Sequence, residues 1–225
     1  MAANLPEPGA TVFADRRAAG RFLAERLRQG ISLGERDQSL VMALPRGGVP
    51  VAREVADLLA TPLDVLVTRK IGYPPQPELG VGAIAEGGEP VYDDTLLARL
   101  GLVRSDLQQV VAGERAELSR RVKVYRGGGP PPDVTGRPVI LVDDGLATGV
   151  TARAALRSLR ARSASWTVLA VPVAAPSSAA EMHHEADAVV TLLTPRSFRA
   201  VGEWYTSFDQ LTDDDVLELL DRAPG

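Results

Sequence analysis

Residues 139–151 read VILVDDGLATGVT, and the expected fold is built around this stretch. Four apolar residues run into two adjacent carboxylates, Asp143 and Asp144, and a loop of small residues then leads into a helical pattern. An unbroken apolar run of this kind is typical of a parallel strand that is buried on both faces. The carboxylates then fall at the carboxyl end of the strand, where open α/β sheets bind ligands. Backbone N–H groups and hydroxyls of residues 147–151 can surround an anion at a helix N-terminus, so the stretch predicts a sugar-phosphate site.

The rest of the chain predicts a parallel sheet around that strand. Strand patterns occur at residues 39–44, 63–68, 165–172 and 188–193, and helical patterns at 15–29, 49–60, 94–100, 105–125, 153–162, 177–185 and 213–220. Short connections around the helix at 49–60 make its two flanking strands parallel, with a right-handed crossover. We therefore expect an α/β fold in which about five parallel strands form a Rossmann-like sheet with flanking helices.

Three segments interrupt this alternation of strands and helices. Residues 72–82, GYPPQPELGVG, contain three prolines and three glycines, which predicts a mobile, lid-like loop in which Glu78 is an exposed acid. Residues 81–85 and 89–92 flank a Glu-Gly-Gly turn and predict a hairpin. Residues 126–133, RGGGPPPD, are interpreted as an internal loop, because the elements on both sides are needed for one sheet.

Two further groups of polar residues follow predicted strands. After the first strand come Pro45, Arg46, Gly47 and Gly48. Paired glycines let the backbone approach an anion, and a guanidinium can bind phosphate oxygens with two hydrogen bonds. A tight turn that needs its glycines for geometry alone is the alternative interpretation.

Arg69 and Lys70 follow the second strand, where two cations would suit a polyanionic ligand. Lys70 is favoured over Arg69, because alternate strand residues face opposite sides of a sheet. A solvated strand end is the alternative interpretation.

Composition and charge narrow the class of protein. The 225 residues carry a formal net charge of −4 and are 45% hydrophobic, which favours a globular protein over one that binds nucleic acid through bulk charge. No apolar run reaches the length of a membrane span and no signal-type core is present, so we expect a cytoplasmic protein without a membrane partner. The absence of Cys excludes a thiolate nucleophile and a Cys-based zinc site. His183 and His184 are adjacent on a predicted helix and point about 100° apart, which favours solvated histidines over a shared metal.

The stretch at 139–151 resembles the phosphoribosyl-pyrophosphate-binding signature of the type I phosphoribosyltransferase family, an apolar strand followed by two acidic residues and Thr/Ser-Gly-x-Thr. The resemblance implies the fold of that family, with a single domain over residues 1–225 and a small hood from residues 196–225 and the N-terminal segment. It also implies that Asp143 and Asp144 hold the ribose hydroxyls. The residues implied to bind the 5-phosphate are Ala147, Thr148, Gly149, Val150 and Thr151.

By the same resemblance, Arg46, Gly47 and Gly48 would grip the pyrophosphate, often with a strained or cis peptide beside the glycine. Arg69 and Lys70 would add basic contacts. The implied reaction moves a 5-phosphoribosyl group from phosphoribosyl pyrophosphate to a nitrogen acceptor, foremost a nucleobase, and releases pyrophosphate without a protein nucleophile.

Three residues are the implied catalytic residues of this reaction: Lys70, Asp143 and Asp144. Magnesium (Mg2+) carried by the ligand, with the two aspartates as its protein contacts, is the implied cofactor. Regulators with the same signature bind the phosphoribosyl compound or nucleotides without strong catalysis, so a non-catalytic or weakly catalytic regulator is the alternative. A homodimer is compatible with either function.

The acceptor remains open. The 6-oxopurine members of the family carry Asp where this chain has Ala147 and Lys where it has Val150, which disfavours hypoxanthine or guanine. Residues 69–88, RKIGYPPQPELGVGAIAEGG, resemble a bacterial subgroup of unassigned acceptor specificity.

An aromatic-rich segment at 198–208, FRAVGEWYTSF, is similar to the base-stacking segment of purine members, but its register differs by one residue. Phe198, Trp204 and Tyr205 are therefore the acceptor-binding candidates. Packing of a small terminal lobe is the alternative interpretation.

Overall fold

The computed structural model describes residues 13–30 and 39–221. In chain order its elements are α1 (Arg16–Gly30), β1 (Leu40–Ala43), α2 (Gly48–Leu59), β2 (Leu63–Val65), β3 (Thr68–Tyr73), β4 (Gln76–Ala85), β5 (Val91–Tyr92), α3 (Asp94–Leu100), α4 (Gln108–Arg126), β6 (Pro138–Val142), α5 (Val150–Ala161), β7 (Trp166–Val173), α6 (Pro176–Met182), β8 (Ala188–Leu193) and α7 (Asp213–Asp221). Short 3-10 turns at Arg104–Leu107 and Val201–Trp204 complete this part of the chain.

The expected parallel sheet is confirmed. Five strands lie in the order β2-β1-β6-β7-β8, and all neighbours are parallel. Strand β6, which leads into the acidic pair, is at the centre of the sheet and pairs through Leu141 with Met42 on one side and Leu169 on the other. The acidic pair therefore emerges from the middle of the carboxyl edge, flanked by the ends of β1 and β7.

Helices cover both faces of this sheet, as the unbroken apolar strands predict. Alternate strand residues enter opposite clusters, so that Val41 and Ala43 pack on one face and Leu40 and Met42 on the other. The first face is covered by α1, α2 and α7, through Leu23, Leu27, Val51, Val55 and Leu219. The second face is covered by α5 and α6, through Ala152, Leu156, Leu159, Ala179 and Met182.

The prediction that residues 72–82 form an irregular loop is wrong. Strands β3, β4 and β5 form a three-stranded antiparallel sheet, called the hood sheet below, and residues 72–82 lie mostly within it. The prolines are tolerated because Pro74 and Pro75 occupy the turn, and Pro77 lies at an irregular point of the pairing. Gly72 allows β3 and β4 to come together, since a Cβ atom there would lie 2.4 Å from the carbonyl oxygen of Pro77.

The predicted hairpin of residues 81–85 and 89–92 is confirmed as the β4–β5 pair, in which Gly82 pairs with Tyr92. A small separate core, which includes Ile71, Val81, Leu97 and Leu107, packs the hood sheet against α3 and the turn that follows it. The hood sheet is therefore a second layer with its own apolar contacts.

The predicted strand at 63–68 is divided between the two sheets. Strand β2 ends at Val65, and the N–H group of Leu66 donates the last hydrogen bond to β1, through the carbonyl of Ala43. The carbonyl of Val67 instead accepts from Glu86 of the hood. Arg69 and Lys70 consequently lie within β3, not at the carboxyl end of a parallel strand.

A buried ion pair ties the hood sheet to the parallel sheet. The Arg126 guanidinium donates to both carboxylate oxygens of Glu86, to the carbonyl of Val65 and, from Nε at 3.1 Å, to Asp64. The Ser158 hydroxyl on α5 donates to the carbonyl of Glu86 at 2.6 Å. Because these groups come from both sheets and two helices, they set the position of the hood sheet above α5.

The C-terminal segment returns across the carboxyl edge of the parallel sheet. Phe13 forms a bridge with Tyr205, and both rings belong to one apolar cluster with Val173 and Trp204. The prediction of one domain over residues 1–225, with a hood from residues 196–225 and the N-terminal segment, remains a prediction. Residues 1–12, 31–38 and 222–225 lie outside the described part of the chain.

Candidate functional site

Two turns meet at the centre of the carboxyl edge, one after β1 and one after β6. A Cβ atom on Gly48 would lie 2.7 Å from the carbonyl oxygen of Val142 and 2.9 Å from the Cα atom of Asp143. A Cβ atom on Gly47 would lie 2.0 Å from Oδ2 of Asp144. The two glycines therefore bring the turn after β1 into contact with the acidic pair, and the expected cis peptide is found between Pro45 and Arg46.

The two carboxylates of the pair have different environments. Oδ1 of Asp143 accepts a hydrogen bond from the N–H group of Asp144 at 2.8 Å. Burial raises the pKa of Asp143 well above its ordinary value, and the charge of Asp144 raises it further. Burial also raises the pKa of Asp144, but the hydrogen bond and charge of Arg16 act in the opposite direction. The pair is thus a largely buried acidic site with the Arg16 guanidinium as its cationic partner.

Arg16 was not found by sequence analysis, although it contacts the acidic pair. Its Nε atom donates to Oδ2 of Asp144 at 2.8 Å, and its Nη1 atom donates to the carbonyl of Asp209 at 2.8 Å. The guanidinium also lies over the ring of Phe208, 3.8 Å from its centroid. Arg16 begins α1, far from the pair in sequence, and no local pattern marks it as different from the other arginines of this helix.

The loop after the acidic pair leads directly into α5. Gly149 precedes the helix with a φ of 74°, a left-handed conformation that glycine adopts without steric cost. Val150 and Thr151 already belong to the first helical turn, so the helix starts earlier than the predicted residue 153. The first N–H groups of a helix have no partner within it and attract anions, which agrees with a 5-phosphate site at residues 147–151.

A second residue missed by sequence analysis supports this loop. The Ser178 hydroxyl of α6 is buried and donates to the carbonyl of Ala147 at 2.5 Å. The side chain of Met182, also on α6, lies against Gly149. Helix α6 therefore positions the loop from behind. The signal for Ser178 is absent from the sequence, because only the packing of α6 against the sheet brings it there.

Arg69 and Lys70 face opposite sides of the hood sheet, as their alternation predicts. Arg69 donates from Nε to Glu114 of α4 at 2.7 Å. Lys70 pairs directly with Ala83, and directly paired residues of antiparallel strands share a face. Ala83 packs against Val150 at the start of α5. Lys70 therefore lies on the face of the hood sheet that covers α5, with Nζ donating to the carbonyl of the exposed Glu78 at 2.8 Å.

Arg46 lies partly exposed on the turn after β1. Its nearest acidic partner is Asp213, at 3.9 Å between Nη1 and Oδ1. An ion pair at this distance and exposure contributes little and is readily exchanged for another anion.

The aromatic segment at 198–208 lies directly on the acidic-pair loop. Val201 packs onto Gly145, since a Cβ atom on Gly145 would lie 2.5 Å from Cγ1 of Val201. Tyr205 is buried against the rings of Phe13 and Phe208, and its hydroxyl donates to the backbone carbonyl of Asp144 at 2.5 Å. The Tyr205 ring thus helps to hold the acidic-pair loop.

Phe198 and Trp204 are partly buried in the same cluster. The buried indole N–H of Trp204 has no hydrogen-bond partner among the described residues. The three acceptor-binding candidates are therefore together at this edge, with Tyr205 the most enclosed of them.

The remaining polar candidates lie away from this edge. His183 and His184 are exposed at the end of α6, as expected for solvated histidines. Over the described residues, no cluster of three or more His, Cys, Asp or Glu side chains could hold a metal ion. The helices found there are also too short or too polar to cross a membrane.

A parallel α/β sheet with two carboxylates and an anion-attracting helix N-terminus at its carboxyl edge is typical of proteins that bind sugar phosphates or nucleotides. Comparison with known proteins gives the family. The model of the phosphoribosyl transferase domain matches residues 14–204, and the chain belongs to this family.

Two relatives come from Mycobacterium tuberculosis, strains CDC 1551 / Oshkosh and ATCC 25618 / H37Rv, and are provisionally named phosphoribosyl transferases. Each is 46% identical over 212 residues, which cover 94% of this chain and 47% of the relative. The chain thus spans about half the length of the curated relatives it matches. The crystal structure of TT1426 from Thermus thermophilus is 41% identical with a TM-score of 0.76, and the match covers 92% of this chain and 97% of TT1426.

Proposed function

We propose that the chain transfers a 5-phosphoribosyl group from phosphoribosyl pyrophosphate to a nitrogen acceptor, foremost a nucleobase, and releases pyrophosphate. The observation that carries this proposal is the meeting of three features at one sheet edge. They are the buried acidic pair, the helix N-terminus behind Gly149 and the glycine turn at Gly47. Their order along the edge matches the parts of a ligand that has two hydroxyls between a monophosphate and a pyrophosphate.

In this proposal Asp143 and Asp144 hold the ribose hydroxyls, and residues 147–151 bind the 5-phosphate. The environment of the carboxylates supports that role, because ribose hydroxyls and a divalent cation would replace water as their partners in a buried site. Ser178 and Met182 would keep the phosphate loop in place while the ligand binds.

The pyrophosphate would be held between the turn after β1 and the hood sheet. Gly47 and Gly48 leave space for a close backbone approach, and the ion pair of Arg46 with Asp213 is long and readily exchanged. Lys70 supports the proposal more strongly than Arg69, since it lies on the face toward the phosphate-loop helix, whereas Arg69 is paired with Glu114. A cation at this position would neutralise charge that develops on the leaving pyrophosphate.

Magnesium fits the chemistry of this site. The carboxylates of Asp143 and Asp144 are hard oxygen donors, and Mg2+ is commonly bound by one or two carboxylates together with phosphate oxygens and water. Bound there with the ligand, it would supply positive charge against the phosphates. Asp143 and Asp144 are the residues that would hold it.

The residues of this chain would otherwise act by positioning. The acceptor nitrogen attacks C1 of the ribose as the C1–O bond to pyrophosphate breaks, with positive charge at the sugar in between, so no protein nucleophile is required. Binding both reactants in one orientation and excluding water provide the main part of such catalysis. Phe198 and Trp204 are the proposed acceptor contacts, and Tyr205, which is more enclosed, would act by holding the Asp144 backbone.

The experiment is a measurement of pyrophosphate release in the presence of magnesium, phosphoribosyl pyrophosphate and a panel of nucleobases and small amines. We expect release with at least one acceptor, and its loss in the Asp143→Asn/Asp144→Asn double variant. Tight ligand binding without release for any acceptor would instead indicate a regulator that binds the phosphoribosyl compound. Unchanged ligand binding in the double variant would refute the site itself.

A further inference from the structure

Arg16 has three contacts that join the acidic pair to the C-terminal segment. It donates to the carboxylate of Asp144 and to the backbone carbonyl of Asp209, and it stacks on the ring of Phe208. Its side chain is 11% exposed and that of Asp144 15%, so the ion pair is largely shielded from solvent. Such a pair is stronger than a surface ion pair and persists in one geometry.

The position of this pair matters because Asp144 has a second proposed partner. Its Oδ2 atom, which accepts from Arg16, is also the atom nearest to Gly47 in the turn that would bind pyrophosphate. A magnesium-bearing sugar phosphate would bring another cation to the same small carboxylate. Two cations at one carboxylate repel each other, so the magnesium ion of the ligand and Arg16 would compete for it.

Arg16 also contacts Phe208 and Asp209, so its displacement from Asp144 would affect residues 205–209. The Phe208 ring packs on Tyr205, with 5.0 Å between centroids, and also on Gly202. Phe208 is 36% exposed, and the guanidinium stacked on its ring shields a substantial part of that ring from solvent. If Arg16 leaves Asp144, both its stacking with Phe208 and its bond to the Asp209 carbonyl are strained or lost.

We propose that Arg16 is an internal counter-ion of the acidic pair and that ligand binding displaces it from Asp144. This displacement loosens residues 205–209, at the end of the aromatic segment 198–208. This inference rests on the proposed function, because the competing cation arrives with the phosphoribosyl ligand. Arg16 is a positioning residue in this scheme. It sets the affinity of the sugar site and couples occupancy of that site to the segment carrying Trp204 and Tyr205.

The test compares Arg16→Gln with Arg17→Gln, a matched control that removes the same charge from the next, exposed residue of α1. Binding of phosphoribosyl pyrophosphate with magnesium is measured by calorimetry at the same pH for all proteins. Removal of the competing cation should tighten binding about three- to tenfold in Arg16→Gln and leave it unchanged in Arg17→Gln. Equal or weaker binding by Arg16→Gln would overturn the inference.

Phe208→Ala provides a second variant that leaves the ion-pair partners in place. It removes the ring that supports the guanidinium at a partly exposed position, so folding should be retained and binding should again be tighter. If the wild-type protein shows no binding, the proposed function and this inference both fall. If it binds and Arg16→Gln does not bind more tightly, only the role of Arg16 falls.

A spectroscopic measurement tests the coupling without any turnover. In a Trp166→Phe background the only tryptophan is Trp204, which lies in the turn that leads to Tyr205. Ligand binding should change its fluorescence, and the Arg16→Gln protein without ligand should already show much of that change. A ligand-induced change that is the same size in both proteins would contradict release of the segment by Arg16.

Discussion

Replacement of Gly47 by alanine should damage the site while leaving most of the fold. The added Cβ atom would lie 2.0 Å from Oδ2 of Asp144 and 2.6 Å from its Cγ atom. Since non-bonded heavy atoms are best separated by about 3.5 Å, the carboxylate must move by roughly 1.5 Å. Gly47 itself has φ −59° and ψ −36°, which alanine adopts readily, so the conflict is with the Asp144 side chain and not with the backbone of residue 47.

The displaced carboxylate would lose its 2.8 Å bond from Arg16 and its position toward the sugar site. A hydrogen bond to a charged group contributes about 1.5–3 kcal/mol, so we expect the affinity for phosphoribosyl pyrophosphate to fall by about 10- to 100-fold. Crowding should lower the free energy of unfolding by about 1–3 kcal/mol. Calorimetry measures the first effect and urea denaturation the second.

Two other glycines serve as controls for Gly47→Ala. In Gly48→Ala the new atom meets backbone, 2.7 Å from the Val142 carbonyl and 2.9 Å from Cα of Asp143, so stability should suffer more than in Gly47→Ala. Gly113 lies exposed within α4 with nothing within 4 Å of the added atom, and Gly113→Ala should stabilise by about 0.5–1 kcal/mol. An unchanged ligand affinity in Gly47→Ala would contradict the predicted damage to the site. Equal stabilities of the Gly47→Ala and Gly48→Ala variants would also contradict the prediction.

Three further variants test the supporting contacts. Because burial and the neighbouring carboxylate raise the pKa of Asp143, the folded protein takes up a proton here at higher pH than the unfolded chain. Stability should therefore fall as pH rises between the ordinary and the raised pKa, and Asp143→Asn should reduce this slope in urea denaturation at a series of pH values. Ser178→Ala removes the hydrogen bond to the Ala147 carbonyl, so it should lower the free energy of unfolding by about 1 kcal/mol and weaken the binding of ribose 5-phosphate. Unchanged binding by calorimetry would show that the loop needs no support from α6. Glu86→Gln leaves the buried Arg126 guanidinium with less negative charge nearby, so it should lower the free energy of unfolding by about 2–3 kcal/mol. A loss near zero in thermal denaturation would mean that the ion pair does not hold the hood sheet.

Most of the parallel sheet could be predicted from the sequence, because each of its strands carries its own signal. An apolar run such as that of residues 139–142 must be buried on both faces wherever it occurs, and the helices between the strands follow from spacing and breakers. The hood sheet could not be predicted in the same way. Its longest strand, β4, contains Pro77, Gly80 and Gly82, which disfavour a strand locally. The sheet forms because Ile71 and Val81 pack in one apolar cluster with Leu97 and Leu107.

The chemical groups at the edge of the sheet follow from local sequence patterns. Asp143 and Asp144 are placed there because a buried strand precedes them, and the loop that follows starts a helix because Gly149 can adopt a left-handed conformation. The way in which those groups are held depends on tertiary packing. Arg16 reaches Asp144 because α1 packs beside α2, and Ser178 reaches Ala147 because α6 packs behind the loop. Contacts of this kind join residues that are distant in the chain, and they depend on packing that no local pattern specifies.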